Sequence, residues 1–364
     1  MRWVNATAWY GLFLARLLRE AGHEVMTVGL PGTKSFALAG EWGLQPLGLP
    51  LNNGNPLKAF SLYSRLRELV RSFRPQVVNC HRGESFVLWG MLKNAVPGAP
   101  FALVRTRGDQ RPVRNNLINR QLYAKVSDAL IATNSGIARA MTDNLGAAPA
   151  KVHTIIGGVD EKIFYPDPAD GQDVRSALGF GSDEFVVGLL GRLDPVKGHE
   201  VLIRALGELR LKYGERFKFR FLCIGEESSL SYTDLDQMLE VAGIRARSLV
   251  TGRVENVRAY INALNLGVLA SVSSEAIARA ALEIMACGVP LLSSDVGVMP
   301  DILPREVLTP VGDVERLRDA LENYWFNTPA LESLAGACEQ AVRHLKSEDF
   351  LSRTLEVYRS CLKR

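Results

Sequence analysis

The sequence predicts an α/β protein with two doubly wound, Rossmann-like domains in tandem. Three observations support this prediction. Apolar runs rich in β-branched residues alternate with segments of helical period along nearly the whole chain. The alternation is interrupted once, by a stretch at 160–173 that is rich in Pro, Asp and Gly and is interpreted as a linker. At 364 residues the chain is also too long for one ordinary core.

The first half of the chain is predicted to form five strands with amphipathic helices between them. The predicted strands lie at 23–29, 75–81, 101–107, 128–134 and 152–158. One of the intervening helices has an apolar face, formed by Leu62, Leu66, Leu69 and Phe73. Apolar strands that are joined through helices indicate a parallel sheet covered on both faces.

The same pattern restarts after the linker. The predicted strands lie at 185–191, 219–225, 248–252, 266–271 and 289–295. We therefore place an N-terminal domain at 1–165 and a C-terminal domain at 166–343. Ligands of doubly wound sheets bind beyond the carboxyl ends of the strands, so we expect the two domains to face a central cleft.

The start of the N-terminal domain departs from the usual order of strand, turn and helix. The turn-like segment WVNATAWYG (3–11) follows Met1 almost at once and leads into a helix. The first strand is therefore predicted to be shortened or missing. This would also trim the loop around Asn5 and Ala6, which would otherwise face a ligand.

The composition is that of a soluble globular protein, with 47% hydrophobic and 23% charged residues. Arg16 and Arg19 cut the apolar run near the N-terminus, so we predict neither a signal peptide nor a transmembrane helix. The five cysteines show no metal-ligand spacing, which argues against a structural zinc site. Their place in or beside apolar runs is typical of reduced thiols, and we expect a cytoplasmic protein.

The charge is distributed unevenly along the chain. Residues 1–160 contain 19 Lys and Arg against 9 Asp and Glu, whereas the remainder contains 24 against 30. A basic first half indicates an anionic partner or an anionic membrane surface. No recognition helix or RNA-binding motif accompanies it, so nucleic acid is not an expected partner.

The segment GRLDPVKGHEVLIRAL, which begins at Gly191, is a strand-turn-helix candidate for binding a diphosphate. Arg192 and Lys197 supply positive charge, while Gly191 and Gly198 allow close approach of the backbone. A diphosphate needs both charge neutralisation and free N–H groups at a helix N-terminus. The spacing is not that of a P-loop.

Two glutamates lie eight residues apart in SSEAIARAALEIMACGVPLLSSDVG (273–297). On one continuous helix they would be about 80° apart, so they would not share a face. We expect Glu275 on the loop before a helix and Glu283 one to two turns inside it. A carboxylate such as Glu283 can accept hydrogen bonds from the two hydroxyls of a ribose, and Glu275 could hold those of a second sugar.

These segments, taken together and in this order, resemble the retaining GT-B glycosyltransferases of the family 4 type along nearly the whole chain. The resemblance rests on the turn at Gly191, on the glutamate pair continued as EIMACGVPLLSSDVG, and on GGVDEKIFYP beside the linker. It implies the GT-B fold, in which the N-terminal domain binds the acceptor and the C-terminal domain binds a nucleotide sugar. It also implies that residues 344–364 form a helix that returns to the N-terminal domain.

The resemblance implies a role for each matching residue. Arg192 and Lys197 would stabilise the diphosphate leaving group, Glu283 would bind the ribose and Glu275 the donor sugar. The nucleotide would also lie against the donor-binding residues Gly191, Gly225, Arg253, Val254, Ala276, Ile277 and Ala278. His81, at the end of a strand on the acceptor side, would lie near the reacting sugar. The alternative for His81 is a buried histidine with a structural role.

One departure from the family pattern concerns the donor sugar. The first glutamate is commonly followed by Gly-Phe-Gly, whereas Ala276, Ile277 and Ala278 follow it here. We expect the additional methyl groups to narrow the pocket.

The expected activity is retaining transfer of a sugar from a nucleotide diphosphosugar to a hydroxyl of a glycan or glycolipid. The resemblance implies front-face attack and no metal, and the sequence has no Asp-x-Asp motif to suggest one; no cofactor is expected. Lipopolysaccharide or other cell-envelope glycan synthesis is the expected setting. The alternatives are a GT-B nucleotide-sugar epimerase and a degenerate, non-catalytic nucleotide-sugar-binding protein.

A basic segment, RTRGDQRPVR, contains Arg105, Arg107, Arg111 and Arg114 and would suit an anionic acceptor. A phosphorylated lipopolysaccharide core or a lipid-linked glycan at the inner membrane face would meet this condition, with peripheral membrane contact. The alternative is an ordinary basic surface.

Overall fold

The protein is described here from a computed structural model, which covers residues 6–51, 56–95 and 100–363, without the side chains of 56–59. The chain divides into two compact units. Unit 1 comprises 1–157 and 347–364, and unit 2 comprises 158–346. No helix in the described ranges combines the length and the apolar character needed to cross a membrane.

Unit 1 alternates helices and strands in chain order. Its elements up to residue 157 are α1 (Ala6–Glu20), β1 (Val28–Gly29), α2 (Lys34–Glu41), β2 (Leu47–Gly48), α3 (Pro56–Phe73), β3 (Val77–Cys80), α4 (Gly83–Ala95), β4 (Ala102–Arg107), α5 (Leu117–Gln121), β5 (Ala129–Ala132), α6 (Ser135–Arg139) and β6 (Val152–Thr154). β3, β4, β5 and β6 form a parallel sheet in that order, and β1 pairs separately with β2.

Unit 2 forms one six-stranded parallel sheet. Its elements are α7 (Pro168–Ala177), β7 (Phe185–Leu190), α8 (His199–Tyr213), β8 (Phe219–Ile224), α9 (Tyr232–Val241), β9 (Ser248–Val250), α10 (Val257–Asn262), β10 (Leu266–Leu269), α11 (Arg279–Ala286), β11 (Leu291–Ser294), α12 (Met299–Ile302), β12 (Leu308–Thr309), α13 (Val314–Phe326) and α14 (Thr328–Val342). The strand order is β12-β11-β10-β7-β8-β9. This is the Rossmann order, because the first strand lies between the second and the fourth.

The last helix, α15 (Ser347–Leu362), belongs to unit 1 although it is the C-terminal element. Phe350 is 1% exposed and its ring lies 4.6 Å from the ring of Tyr10 in α1. The Asn79 side chain in β3 donates a hydrogen bond to the Tyr358 hydroxyl at 2.7 Å. These contacts hold α15 against both α1 and β3.

The prediction of α/β architecture with two Rossmann-like domains is confirmed, and two local predictions are corrected. The strand predicted at 23–29 is reduced to Val28–Gly29, because β1 has only the two residues of β2 to pair with. The predicted linker at 160–173 contains the start of α7, which Asp167 caps by accepting a hydrogen bond from the Asp170 N–H. The short strands β2 and β12 were not predicted. The predictions for Asn5 and for the first strand fall on residues 1–5, outside the described ranges.

Candidate functional site

The candidate donor site lies at the carboxyl edge of the unit 2 sheet. The chain winds outward from β7 in one direction through β8 and β9, and in the other through β10, β11 and β12. The winding therefore reverses between β7 and β10, and such a switch point leaves a crevice beyond the carboxyl ends of the strands. The segments that follow β7, β8, β9 and β10 contain every predicted donor residue except Glu283, which lies in α11.

The turn after β7 depends on two glycines. Gly198 has φ +71°, and a Cβ atom there would lie 1.9 Å from the carbonyl oxygen of Ala270, just after β10. A Cβ atom on Gly225, after β8, would lie 1.9 Å from the carbonyl oxygen of Gly191. No side chain can be accommodated at such distances, so the segments that follow β7, β8 and β10 pack backbone to backbone.

The guanidinium of Arg192 is held at the solvent-facing side of this turn. It donates a hydrogen bond to the Ser228 hydroxyl at 3.0 Å and lies 3.6 Å from a carboxylate oxygen of Asp194. Its side chain remains 43% exposed. Arg192 is therefore a positive charge that is oriented and still accessible to an anion.

Lys197 and Glu275, which are 78 positions apart in the sequence, meet in the structure. The Lys197 ammonium contacts Glu275 Oε1, and the Ser271 hydroxyl donates to the same oxygen at 2.6 Å. The backbone oxygen of Glu275 accepts from the Val298 N–H at 2.8 Å. A carboxylate that is only 4% exposed is thus fixed beside a cation.

The loop that contains Glu275 is bounded by two strained residues. Ser274 has φ +64° and Ala278 has φ +50°, a region that costs a residue with a Cβ atom about 1–2 kcal/mol. Strain of this kind is maintained where the surroundings fix the backbone. Ala276 is half-buried, whereas Ile277 and Ala278 are each 2% exposed, so a donor would meet mainly their backbone.

Glu283 lies in the second turn of α11, as the spacing predicted, and Glu275 lies on the preceding loop. Glu283 is 8% exposed, and its Oε1 accepts from Arg279 Nε at 3.1 Å and from Arg279 Nη2 at 2.6 Å. Sequence reasoning missed Arg279. The signal was available, because residues four apart on a helix face are neighbours and opposite charges attract there.

The loop after β9 contains the residues predicted to receive the base. Gly252 has φ +68° and forms an isolated β-bridge with Gly225, which brings this loop to the same edge as the turn after β7. Arg253 is exposed and Val254 is half-buried.

His81 belongs to unit 1 and lies directly after β3. Its ring packs so closely on α1 that a Cβ atom on Gly11 would lie 3.2 Å from His81 Cγ. The Nδ1 atom is buried, with no hydrogen-bond partner in the described part of the chain. Burial and the charge of Arg105 lower the pKa of His81 to about 4, so the ring is neutral at physiological pH.

Replacing His81 is expected to flatten the stability profile in acid. The unfolded chain binds a proton at His81 near pH 6.5, whereas the folded chain does so only near pH 4. Folded stability is therefore lost as the pH falls from 6.5 through 4, by about 2 kcal/mol at pH 5. Thermal melts of His81→Gln at pH 7 and 5 should show a smaller drop than the parent. His23→Gln, at an exposed position, is the control, and an equal drop in all three proteins would contradict the assignment.

The prediction for the basic segment RTRGDQRPVR is corrected for one residue. Arg105 is 4% exposed and donates hydrogen bonds to the carbonyl oxygens of Cys80 and Thr106, at 2.8 and 2.5 Å. It is a structural residue of the sheet, because its guanidinium satisfies buried backbone oxygens. Arg111, by contrast, is exposed and pairs with Asp109.

No group of three or more His, Cys, Asp or Glu side chains with the geometry of a metal site occurs in the described ranges. The cysteines there are unbridged, and burial raises the pKa of Cys80, Cys223 and Cys287 to about 12. These three thiols therefore remain protonated and serve as small apolar side chains.

Two family models match the chain in succession. The model of Glycosyltransferase Family 4 matches residues 8–162, and the model of Glycosyl transferases group 1 matches residues 184–327. The first match covers residues 8–157 of unit 1 and extends to residue 162. The second match lies wholly within unit 2. The chain therefore belongs to the GT-B glycosyltransferases of the family 4 type.

The relatives include two named as D-inositol 3-phosphate glycosyltransferases. The protein of Rhodococcus erythropolis is 30% identical over 195 residues, which cover 52% of this chain and 43% of the relative. That of Catenulispora acidiphila is 29% identical over 286 residues, covering 75% and 65%. The matches thus span less than two thirds of either relative.

A solved structure of Anabaena HepE in complex with UDP shares the fold. It has a TM-score of 0.86 and 17% sequence identity, and the alignment covers 99% of this chain and 98% of HepE.

Proposed function

We propose that the chain is a retaining glycosyltransferase that moves a sugar from a nucleoside diphosphate sugar to a hydroxyl of a phosphorylated acceptor. The observation that carries the proposal is the contact between Lys197 and Glu275 beside the switch point of the unit 2 sheet. It places a cation suited to a diphosphate next to a carboxylate suited to sugar hydroxyls.

The diphosphate is assigned to Arg192 and Lys197. The bond between the anomeric carbon and the diphosphate oxygen breaks, and negative charge develops on the leaving group. Fixed cations and backbone N–H groups stabilise such charge most when they are oriented beforehand. The contacts of Arg192 with Ser228 and of Lys197 with Glu275 supply that orientation. The backbone N–H groups after Gly191 and at Ile277 and Ala278 are assigned to the donor as well.

Glu275 is assigned to the hydroxyls of the donor sugar and not to nucleophilic attack. Its Oε1 already accepts from Ser271 and contacts Lys197, which lowers its nucleophilicity. We therefore assign front-face attack: the acceptor oxygen forms its bond on the face that the diphosphate leaves, and the departing phosphate oxygen takes the proton. His81, neutral at physiological pH, retains the acceptor-side role that the family resemblance gives it.

The nucleoside is assigned to the remaining donor residues. Glu283 accepts hydrogen bonds from the ribose hydroxyls after Arg279 gives up part of its contact with Glu283. The loop at Arg253 and Val254 receives the base. Gly225 allows the nucleotide to lie close to the sheet edge. Uracil is the base proposed, with HepE crystallised in complex with UDP as support.

The acceptor is proposed to carry phosphate. Support comes from the excess of cations in residues 1–160 and from relatives named for D-inositol 3-phosphate. A phosphorylated polyol and a phosphorylated lipopolysaccharide core offer the same charged group. Cell-envelope glycan synthesis remains the proposed setting.

Peripheral contact with an anionic membrane is proposed at α5. Leu117 and Ile118 are 79% and 60% exposed, and Arg114 and Arg120 flank them. Exposed apolar side chains among basic residues are typical of interfacial anchors. The double variant Leu117→Ser with Ile118→Ser should lose co-sedimentation with vesicles rich in phosphatidylglycerol. Leu211→Ser, at a site 86% exposed in unit 2, should bind as the parent does, and equal binding of both variants would refute the contact.

The test of the function is product analysis by mass spectrometry with a panel of UDP-sugars. D-Inositol 3-phosphate and a phosphorylated lipopolysaccharide core serve as acceptors, and one arm contains none. A glycosylated acceptor with the donor's anomeric configuration is the expected product. An isomerised donor in the arm without acceptor would identify an epimerase instead. Tight UDP binding without any product would identify a binding protein.

Transfer is expected to continue at the full rate in excess EDTA, because Arg192 and Lys197 are the cations assigned to the diphosphate. The measurement is the initial rate with and without chelator, after exhaustive dialysis. A rate that falls to background and returns with Mg²⁺ or Mn²⁺ would overturn this assignment.

A further inference from the structure

Tyr232 joins two segments at the carboxyl edge of the unit 2 sheet. It is the first residue of α9, the helix that follows β8, and it is 38% exposed. Its side chain reaches the loop after β9, where a Cβ atom on Gly252 would lie 3.0 Å from the Tyr232 hydroxyl oxygen. Gly252 itself forms an isolated β-bridge with Gly225, after β8. The phenol therefore lies beside the point at which the segments after β8 and β9 meet.

The backbone of Tyr232 is fixed by its neighbours. Ser231 and Asp234 form a capping box, in which the Ser231 hydroxyl accepts from the Asp234 N–H at 3.1 Å and Asp234 Oδ2 accepts from the Ser231 N–H at 2.9 Å. The Tyr232 N–H donates to Glu227 Oε1 at 2.5 Å. Glu227 in turn forms an isolated β-bridge with Leu193, in the turn after β7. The phenol is therefore attached to a backbone that is fixed relative to the turn assigned to the diphosphate.

The hydroxyl of Tyr232 has no hydrogen-bond partner among the described residues. Two buried tyrosines of unit 1 differ in this respect, since Tyr10 donates to the carbonyl oxygen of Ile155 and Tyr358 accepts from Asn79. Tyrosine combines a broad apolar ring with one group that can both donate and accept. An exposed tyrosine on a fixed backbone, with its polar end unused, is suited to contact a ligand.

We propose that Tyr232 determines which nucleobase the donor carries, by restricting the site to a pyrimidine. The inference rests on the proposed function, in which the loop at Arg253 and Val254 receives the base. Gly252 directly precedes this loop, so a base bound there lies beside the phenol. The ring of Tyr232 occupies space that the second ring of a purine needs, and its hydroxyl forms a hydrogen bond with the edge of the pyrimidine.

The ring and the hydroxyl contribute to selectivity in different ways. Steric exclusion of a purine raises specificity without adding affinity for the correct base. The hydrogen bond adds affinity for a base with a matching group, and a base that lacks the group leaves the hydroxyl unpaired. The two contributions can be separated, because phenylalanine retains the ring and lacks the hydroxyl.

The test measures the affinities of the full chain for UDP and GDP by calorimetric titration. The parent is expected to bind UDP more tightly than GDP by about tenfold or more. Tyr232→Ala should bind UDP more weakly and GDP more tightly, so that the preference for UDP decreases by about tenfold or more. Tyr232→Phe should lose about three- to tenfold in UDP affinity, as expected for one neutral hydrogen bond, and should still reject GDP.

Val241→Ala is the matched control, because Val241 lies at the other end of the same helix and is 91% exposed. It should bind both nucleotides as the parent does. A thermal melt of each variant establishes that it is folded.

Two outcomes would overturn the inference and leave the donor site in place. One is a parent that prefers GDP. The other is an unchanged preference in Tyr232→Ala, whether both affinities stay the same or fall equally, because Tyr232 would then only support the loop. Parental UDP affinity in Tyr232→Phe would overturn the assigned hydrogen bond. A parent that binds neither nucleotide would contradict the proposed function itself, and the inference with it.

Discussion

Lys197→Met is expected to lower kcat for sugar transfer by two to three orders of magnitude, or about 3–4 kcal/mol in the barrier. The ammonium is oriented by Glu275, so it meets the leaving diphosphate without reorganisation. Because charge on the leaving group peaks in the transition state, kcat should fall more than the affinity for the donor. Single-turnover kinetics with saturating donor measure this loss.

Lys212→Met is the matched control. Lys212 lies in the last turn of α8 and pairs with Glu322, whereas Lys197 lies in the turn before that helix. Replacing Lys212 should leave kcat unchanged. Arg192→Ala should change the rate in the same direction as Lys197→Met, with a smaller loss of stability because Arg192 is 43% exposed. Parental rates in both Lys197→Met and Arg192→Ala would show that the diphosphate does not bind at this turn.

Glu283→Ala is expected to weaken UDP binding by about tenfold or more, since a hydrogen bond to a charged group contributes about 1.5–3 kcal/mol. Glu275→Ala should not lower UDP affinity, because it removes a negative charge beside Lys197, and should impair only turnover of the intact sugar donor. The two carboxylates would then bind different parts of one ligand. Calorimetric titration of both variants with UDP separates the roles, and equal losses would show that they are misassigned.

Arg279 complicates the Glu283 variant, because Glu283→Ala leaves that guanidinium without its carboxylate. Without the Glu283 carboxylate, the positive charge of Arg279 would raise the affinity for UDP and mask part of the loss. The double variant Arg279→Ala with Glu283→Ala removes this effect. We expect it to bind UDP more weakly than Glu283→Ala alone.

The parts of the site that sequence predicted are those set by local spacing. The turn from Gly191 to Gly198 follows a buried strand and precedes a helix, and the eight-residue interval puts Glu275 on a loop and Glu283 in a helix. Both patterns depend on a few consecutive residues. Helical periodicity and glycine placement determine them before any tertiary contact forms.

The parts that sequence could not predict depend on neighbours distant in the chain. The Lys197–Glu275 contact needs β7 and β10 to be adjacent, which only the strand order of the sheet decides. The sequence predicts that Arg105 is a surface cation. It is buried instead, because the carbonyl oxygens of Cys80 and Thr106 need hydrogen-bond donors. β1 is short because a strand extends only as far as its partner does.

The contact between Lys197 and Glu275 has a consequence for the ionic strength at which the donor binds. A solvated cation attracts a diphosphate through a field that salt screens over about 10 Å at 0.1 M. The Lys197 ammonium is instead already neutralised by a carboxylate that is 4% exposed. Arg192 is 43% exposed and lies 3.6 Å from its partner Asp194, so it is the less fully neutralised cation and the main source of long-range attraction in this turn. The affinity for the donor should therefore decrease with added NaCl only as steeply as is expected for one cation, although the turn contains both Arg192 and Lys197.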